Sequence, residues 1–189
     1  VRLGTARLRR RHRELERLVD ERTAELGRAN ERLSKLSFSD ALTGLASRRR
    51  FDETLDAEWS RAIGSGRPLS LVLADLDGFR RYDDEFGRAA GDSCLVDVAR
   101  VIRSNVRQAG DLAARFAGEE FALLLPATPL ADAVIVAENA RAGIEALRLP
   151  NPGGRPSEFL TASFGVATVV PESGDDAVQL ALEADAALS

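Results

Sequence analysis

Two adjacent carboxylates, Glu119 and Glu120, lie at a glycine turn between two apolar runs. Ala117 and Gly118 form the turn, and residues 121–125 read Phe-Ala-Leu-Leu-Leu. This pattern predicts a β-hairpin with a negatively charged tip. Two like charges side by side lower stability unless a positive charge meets them, and hard divalent cations take carboxylate oxygens as ligands. The tip is therefore a candidate metal site.

A second pair of carboxylates, Asp75 and Asp77, follows the apolar run 69–74, which predicts a strand. In a β-α-β-β-α-β chain the end of this strand and the hairpin lie at the same end of the sheet, so we expect Asp75 to approach Glu119. The residues from Gly78 open a helix whose free N–H groups can hold phosphate oxygens. Carboxylates from separate segments suit Mg²⁺ when the substrate supplies phosphate, and a pair of metal ions can brace an in-line displacement.

A simpler alternative gives these acidic residues structural roles only. Glu119 and Glu120 would then form a solvated turn, and Asp75 and Asp77 would cap a helix. A bare pair of acidic residues has such a role more often than not. The combination of paired acids, small turn residues and apolar strands on each side favours the functional interpretation.

Periodicity and turn residues after position 39 predict the elements that position these groups. Ser39 or Asp40 is expected to cap a new helix. From residue 69 onward the order is β-α-β-β-α-β, which is typical of a ferredoxin-like, palm-type α+β fold with an antiparallel sheet and helices on one face. The predicted elements are helices over 49–63, 91–106 and 130–147, a short helix from Phe79 interrupted at Gly87, a last helix from about Asp175, a strand ending at Asp75, two strands around Ala117-Gly118, and a strand over 159–169.

The first segment, residues 1–38, is rich in Arg, Glu and Leu and has a seven-residue repeat. The repeat predicts a signalling coiled-coil helix ahead of a domain over residues 39–189, and Val19 beside Leu15 favours a parallel two-stranded coil, hence a homodimer. Polar seam residues would fix the register at a cost in stability. The alternative is a single amphipathic helix lying on its own domain. The seam positions are Leu8, Leu15, Arg22, Ala29 and Leu36, alternating with Thr5, His12, Val19, Leu26 and Leu33.

Composition excludes several classes of function. A net charge of -4 and a pI near 5.2 disfavour general nucleic-acid binding. The single cysteine, Cys94, excludes an internal disulfide, fits a reducing compartment, and falls in a helical apolar pattern that predicts a core residue. No apolar run is long enough to span a bilayer and no signal peptide is present. We therefore expect a cytoplasmic protein.

The start of the chain leaves one alternative open about location. Because the sequence begins at Val1 rather than at Met, a preceding membrane segment would make it the cytoplasmic portion of a membrane-anchored sensor. The arginine-rich start suits a segment beside a membrane, although solvation of a coil explains it nearly as well.

From Asp40 to the C-terminus the chain resembles a GGDEF domain of the diguanylate cyclase family. The first matching segment, Asp-Ala-Leu-Thr-Gly-Leu followed by Ser-Arg-Arg, is similar to the family's linker signature. The hairpin sequence Ala-Gly-Glu-Glu-Phe is similar to the signature that gives the family its name. The matching segments are residues 40–45 and 47–49, 75–80, 83–92, 117–121, 161–167 and 184–188.

This resemblance implies a reaction in which two GTP molecules become cyclic di-GMP and two pyrophosphates, each 3′-hydroxyl attacking the α-phosphate of the other nucleotide. It implies Mg²⁺, with Mn²⁺ as the alternative, held by Asp75, the Leu76 carbonyl and Glu119. Glu119 and Glu120 would be the catalytic residues. The implied partners are GTP, a second copy of the chain, and an upstream sensor. The implied substrate-binding residues are Gly78, Phe79 and Arg80 for phosphate, Asp83 and Asp92 for guanine, and Gly118.

Several positions depart from the family pattern. Ala117 replaces a glycine, which costs little if its φ is negative. Asp83 replaces Asn, so a hydrogen bond donated to the guanine carbonyl is lost and base selection is expected to weaken. Gln108 stands where an Arg-x-x-Asp product-inhibition site has its Arg, with Arg107 one residue early and Asp111 in place. Gln lacks the cationic fork of Arg, so we expect no strong product inhibition there.

The C-terminal end is expected to be truncated, because the family usually continues beyond Ser189 with a Tyr and a Lys/Arg pair that helps hold the triphosphate. Weaker GTP binding would follow. Two alternatives to a cyclase therefore stay open. One is a degenerate, non-enzymatic regulator that binds GTP or a partner protein, and the other is a plain dimerisation module, which leaves the acidic tip unexplained.

Overall fold

The computed structural model describes residue 22 and residues 38–153 and 157–189. The predicted coil over residues 1–38 thus lies almost entirely outside the described residues and stays a prediction. Residues Phe38–Ser189 form one unit. Its elements are α1 (Arg48–Ser65), β1 (Leu69–Leu76), α2 (Phe79–Phe86), α3 (Arg88–Asn105), β2 (Leu112–Ala117), β3 (Glu120–Pro126), α4 (Leu130–Ala146), β4 (Ala162–Val169) and α5 (Ala177–Leu188).

The four strands form one antiparallel sheet in the order β2-β3-β1-β4. This order follows from the β-α-β-β-α-β chain: the hairpin strand β3 inserts between β1 and β2, and β4 pairs with the other edge of β1. The α+β, ferredoxin-like fold class is confirmed. Strand β1 is central, and its apolar run is buried along nearly its whole length.

Helices cover both faces of the sheet, so the expectation of helices on one face is wrong. Helices α3 and α4 pack on one face around Val72 and Leu123, as the β-α-β-β-α-β pattern requires. Helices α1 and α5 cover the other face around Leu71 and Leu124. The physical reason lies in β1 and β3, whose alternating residues are apolar on both sides, so that neither face can be left in water.

Cys94 is 1% exposed and lies on the buried face of α3, within the core, as the sequence predicts. Burial, followed by the negative charge of Asp97, raises the pKa of its thiol to about 12. The thiol therefore stays protonated and unreactive near neutral pH.

The helix boundaries follow local capping chemistry. Helix α1 begins after Ser47, whose hydroxyl accepts a hydrogen bond from the Arg50 amide at 3.3 Å, and ends at Gly66 in the left-handed region with φ 62°. The prediction that Ser39 or Asp40 caps this helix is therefore wrong. None of the helices in the described part of the chain is long and apolar enough to cross a membrane.

Candidate active site

The acidic hairpin tip joins β2 to β3. Gly118 has φ 41°, in the left-handed region that glycine tolerates best. Ala117 ends β2 and pairs with Glu120, and it is not among the described non-glycine residues with positive φ, which are Ala127 and Arg148. Alanine at position 117 therefore imposes no left-handed strain on the hairpin.

The sheet register brings the acidic groups of two segments together. Asp75, near the end of β1, is the direct cross-strand partner of Glu120. Burial, together with the negative charges of Glu119, Glu120 and Asp77, raises the pKa of Asp75. The carboxyl of Asp75 thus lies in a negative field, which is the electrostatic property that a cation site requires.

The oxygen ligands of this site fit a metal ion only when a substrate is bound as well. Within residues 38–153 and 157–189, no three His, Cys, Asp or Glu side chains are arranged to hold a metal by themselves. Asp75 and Glu119 supply carboxylate oxygens, and the Leu76 carbonyl lies next to Asp75 in the chain. These groups fit Mg²⁺ when phosphate oxygens and water complete its coordination, because Mg²⁺ is usually bound through one or two carboxylates and substrate phosphates.

A helix N-terminus lies beside the acidic groups. Gly78 is the N-cap residue of α2, with φ 72°. Among the described residues no side chain caps this helix, and a Cβ built on Gly78 would have no atom within 4 Å. The Arg81 amide donates the first hydrogen bond of the turn to the Gly78 carbonyl at 2.9 Å. The amides of Phe79 and Arg80 precede that bond, and amides in this position of a helix have no acceptor within the helix, which makes them suited to phosphate oxygens.

The structure brings Asp83 of α2 against the first turn of α3. A Cβ built on Gly91 would lie 2.3 Å from Asp83 Oδ1 and 3.4 Å from the ring of Phe79. Gly91 directly precedes Asp92, which is exposed. Asp83 and Asp92, the two residues that the resemblance assigns to guanine, therefore lie at one junction between helices, and Gly91 leaves the space that the Asp83 carboxylate occupies.

Replacing Gly91 with Ala is expected to displace the Asp83 carboxylate, since the added methyl would lie 2.3 Å from Asp83 Oδ1. A rotatable side chain is the group that must yield, so the free energy of unfolding should change little. We expect the Kd for GTP to rise about 5–20-fold, the range of one lost polar contact. Calorimetric titration of GTP checks this. In an Asp83→Ala background the Gly91→Ala change should add almost nothing, and full additivity would contradict the assignment.

Sequence reasoning missed a clasp that holds the hairpin to the segment before α1. The Arg115 guanidinium donates to the Gly118 carbonyl at 2.8 Å and lies 3.3 Å from the Asp40 carboxylate. Asp40 also accepts hydrogen bonds from the Thr43 amide and hydroxyl. Burial raises the pKa of Asp40, but the bonds from Thr43 and the charge of Arg115 outweigh burial and hold it below its ordinary value. The only sequence signal is a charged residue within an apolar strand.

Asp77 does not join Asp75 as a second free carboxylate of the site. Its two oxygens accept hydrogen bonds from the hydroxyls of Thr161 and Ser163, at 2.6 and 2.7 Å. The suggestion that Asp77 caps a helix with its side chain is also wrong, because α2 has no side-chain cap. Asp77 is a link between two chain segments.

Residues 107–111, which the resemblance compares with a product-inhibition site, form a tight turn. Asp111 Oδ2 accepts hydrogen bonds from the amides of Arg107 and Gln108, at 2.9 and 2.8 Å, whereas its Oδ1 is buried and has no partner among the described residues. Arg50 and Arg61 of α1 line the adjacent cleft, which has a volume of about 350 Å³. One carboxylate oxygen is thus already used by the turn itself.

Removing the charge of Asp75 should stabilise the protein in the absence of metal. Because the pKa of Asp75 is raised above its ordinary 3.8, wild-type stability falls as pH rises through that range, and the deficit persists at neutral pH. Asp75→Asn lacks this penalty. After allowance for solvent screening we expect its Tm at pH 7 to rise by roughly 1–3 °C, with the difference vanishing near pH 3. Calorimetry in chelator measures it, and a lower Tm at pH 7 would contradict the account.

Comparison with known proteins shows which family the chain resembles. The family model described as "Diguanylate cyclase, GGDEF domain" matches residues 37–189. The bifunctional diguanylate cyclase/cyclic di-GMP phosphodiesterase MucR of Pseudomonas aeruginosa is 37% identical over 163 residues, covering 86% of this chain and 23% of MucR. The response regulator PleD of Caulobacter vibrioides is 39% identical over 151 residues, covering 80% of this chain and 33% of PleD.

The chain is also similar to a solved GGDEF-domain structure. The coiled coil and GGDEF domain of DgcB from Caulobacter crescentus, in complex with c-di-GMP, superimposes with a TM-score of 0.71 at 29% identity and covers 92% of each chain. The chain spans between about a quarter and a third of the two curated relatives above.

Proposed function

Since the chain belongs to the diguanylate cyclase GGDEF-domain family, we propose that it condenses two GTP molecules into cyclic di-GMP and two pyrophosphates. The observation that carries the proposal is the pairing of Asp75 with Glu120 across β1 and β3, beside the start of α2, whose N-cap residue is the glycine Gly78. This geometry sets two carboxylates of a negative cluster next to amides that suit phosphate.

The proposed roles follow from the chemistry of each group. Asp75, the Leu76 carbonyl and Glu119 hold Mg²⁺ or Mn²⁺, which supplies positive charge against the phosphate oxygens when bound. The amides of Phe79 and Arg80, with the Arg80 guanidinium, hold the triphosphate. Positioning and charge neutralisation account for most of phosphoryl-transfer catalysis, and this site supplies both.

Proton removal from the attacking 3′-hydroxyl is assigned to the hairpin. Glu119 is half-buried at the tip and carries a carboxylate that can accept this proton. Glu120 is exposed and pairs with Asp75 in the sheet, and it supports the charge of the cluster. Gly118, with φ 41°, supplies the left-handed turn residue directly before the two glutamates and is assigned to substrate binding.

Guanine is assigned to Asp83 and Asp92. Asp92 is suited to accept hydrogen bonds from the N–H groups of the base, whereas an ionised Asp83 accepts but does not donate. Discrimination against ATP should therefore be weaker than in an enzyme with Asn at this position. Competition between GTP and ATP for binding measures this discrimination, with Asp83→Asn as the matched variant expected to improve it.

One such site holds one GTP, so the product requires two copies of the chain facing each other. We place the dimer contact in the predicted parallel coil over residues 1–38, and the coil present in the DgcB structure supports that placement. A coiled coil with polar residues in its seam can shift between two registers of similar free energy, which would let an upstream sensor control turnover. Disulfides introduced at successive coil positions should change turnover from one register to the next, and equal turnover in all of them would contradict coil control.

A cytoplasmic location is proposed on chemical grounds. The substrate is GTP, and Cys94 is a free, buried thiol, which suits a reducing compartment. The relatives are much longer than this chain, so an upstream sensor, either free or anchored in a membrane, is part of the proposal.

The runner-up is a non-enzymatic regulator that binds GTP without turning it over, and Asp83 is the residue that favours it. Incubation with GTP and Mg²⁺, followed by chromatography and mass spectrometry, separates the two functions. The cyclase yields cyclic di-GMP and pyrophosphate in a ratio of one to two. GTP binding without either product would establish the regulator and overturn the cyclase.

Product inhibition is expected to be weak in the wild-type chain and to appear in Gln108→Arg. The substitution completes an Arg-x-x-Asp spacing with Asp111, and a charge-assisted hydrogen bond of about 1.5–3 kcal/mol should tighten cyclic di-GMP binding by at least about tenfold. Calorimetric titration with cyclic di-GMP measures the change, with Gln179→Arg on α5 as a surface control. Sub-micromolar binding by the wild type would contradict the expectation.

A further inference from the structure

The carboxylate of Asp77 is held by two hydroxyls from a distant segment. Thr161 Oγ1 donates to Asp77 Oδ2 at 2.6 Å, and Ser163 Oγ donates to Asp77 Oδ1 at 2.7 Å. The backbone reinforces the link, because the Asp77 amide donates to the Thr161 carbonyl at 2.9 Å. We call this group of three residues the hydroxyl clamp.

The clamp depends on strand geometry. Residues two apart in an extended segment point to the same side, so Thr161 and Ser163 can reach one carboxylate together. Ser163 lies on β4 directly opposite Asp75 of β1. The clamp therefore lies beside the proposed metal ligand Asp75, on the strand opposite the one that brings Glu120.

Asp77 stands between two groups that the proposed reaction uses. Before it is Leu76, whose carbonyl is assigned to the metal, and after it is Gly78, which starts α2 with φ 72°. Glycine at this position leaves the backbone free to adopt other conformations. A fixed Asp77 restrains the peptide groups on both sides, and the restraint comes from side chains on β4 rather than from the loop.

We propose that Asp77 is a positioning residue for the nucleotide: through Thr161 and Ser163 it fixes the Leu76 carbonyl and the start of α2, and it is not a metal ligand. This inference rests on the proposed function, whose site it deepens. Both Asp77 oxygens already accept a short hydroxyl bond, which leaves each with less capacity for a cation. It also assigns a role to the Thr-Ala-Ser sequence at 161–163.

The test measures Mn²⁺ binding by electron paramagnetic resonance in the presence of 3′-deoxy-GTP, which lacks the attacking hydroxyl and cannot react. The variants are Thr161→Val with Ser163→Ala, Asp77→Ala, and all three changes together. Removing groups that orient metal ligands typically lowers metal affinity 10–100-fold. We therefore expect the double variant Thr161→Val/Ser163→Ala to bind Mn²⁺ about 10–100-fold more weakly than the wild type. Adding Asp77→Ala should weaken binding little further, because the three groups act as a unit.

Two controls separate positioning from general damage to the fold. Thr161→Ser keeps the hydroxyl, so this single variant should bind Mn²⁺ with the wild-type affinity. Thr168→Val removes a hydroxyl from the same strand, where it bonds to Ser70 and lies away from Asp77. That variant should lower the free energy of unfolding without changing Mn²⁺ affinity.

The outcomes distinguish the clamp from the cyclase reaction. If the double variant Thr161→Val/Ser163→Ala binds Mn²⁺ with wild-type affinity and Asp77→Ala loses binding, Asp77 is a metal ligand and the clamp proposal is overturned. If the double variant binds Mn²⁺ more weakly than the wild type, and the wild type forms no cyclic di-GMP from GTP, the clamp is supported and the cyclase function is contradicted. A wild type that binds no Mn²⁺ with the nucleotide would overturn both.

Discussion

Glu119→Gln is expected to lower the rate of cyclic di-GMP formation by about 10²–10³-fold or more, the loss seen when one group that stabilises transition-state charge is removed. The change keeps the shape of the side chain and removes its charge. It thereby takes away both a proposed metal ligand and the proposed proton acceptor. Product formation from GTP and Mg²⁺, followed by mass spectrometry, is the measurement.

The matched control for Glu119→Gln is the same change at Glu172, which is exposed and lies before α5. Glu172→Gln should turn over at the wild-type rate. Because Glu119 is at a hairpin tip and not in the core, its variant should keep the wild-type circular dichroism spectrum and a similar Tm. Full turnover by a folded Glu119→Gln protein would remove the tip from the mechanism.

Gly165→Ala is expected to have the largest effect on folding. A Cβ at this position on β4 would lie 2.1 Å from the Ala184 carbonyl oxygen, 2.5 Å from the Leu188 nitrogen and 2.8 Å from Leu188 Cβ. The first two are backbone atoms of α5 and the third is a Cβ, whose position the backbone fixes, so no side-chain rotation relieves the contact. Helix α5 must move off the sheet. Overpacking of this kind costs about 1–3 kcal/mol or more, which corresponds to a fall in Tm of roughly 2–12 °C.

Gly64→Ala is the matched control, since no atom of the described residues lies within 4 Å of a Cβ built on Gly64, which is in α1. Alanine is a better helix former than glycine, so this variant should be unchanged or up to about 1 kcal/mol more stable. Urea and thermal unfolding measure both variants. Equal stability of Gly165→Ala and Gly64→Ala would show that the packing of α5 on β4 is looser than described.

Much of the sheet could be predicted because its signals are local. The apolar run before Asp75 and the glycine turn before Glu119 each determine a strand and its end within a few residues. The β-α-β-β-α-β order then places those ends together, and the register of Asp75 with Glu120 agrees. The sequence did not predict that α1 and α5 cover the second face of the sheet, because the β-α-β-β-α-β pattern describes only the helices that connect the strands.

The polar links of the site could not be predicted, because their partners are far apart in sequence. Arg115 and Asp40 are separated by 75 positions, and Asp77 is separated from Thr161 and Ser163 by 84 and 86. Nothing in the local sequence distinguishes an aspartate that binds hydroxyls from one that binds a metal. Likewise, the need for glycine at position 91 depends on where the Asp83 side chain lies in the folded chain.

The central claim is that two copies of this site, each holding one GTP, must act together. Co-assembly of wild-type chains with rising fractions of Glu119→Gln chains, at constant total protein, tests it most directly through the cyclic di-GMP formed per wild-type chain. If both copies are needed, that yield falls in proportion to the fraction of wild-type chains, because mixed dimers are inactive. A yield per wild-type chain that stays constant across all mixtures would contradict the account.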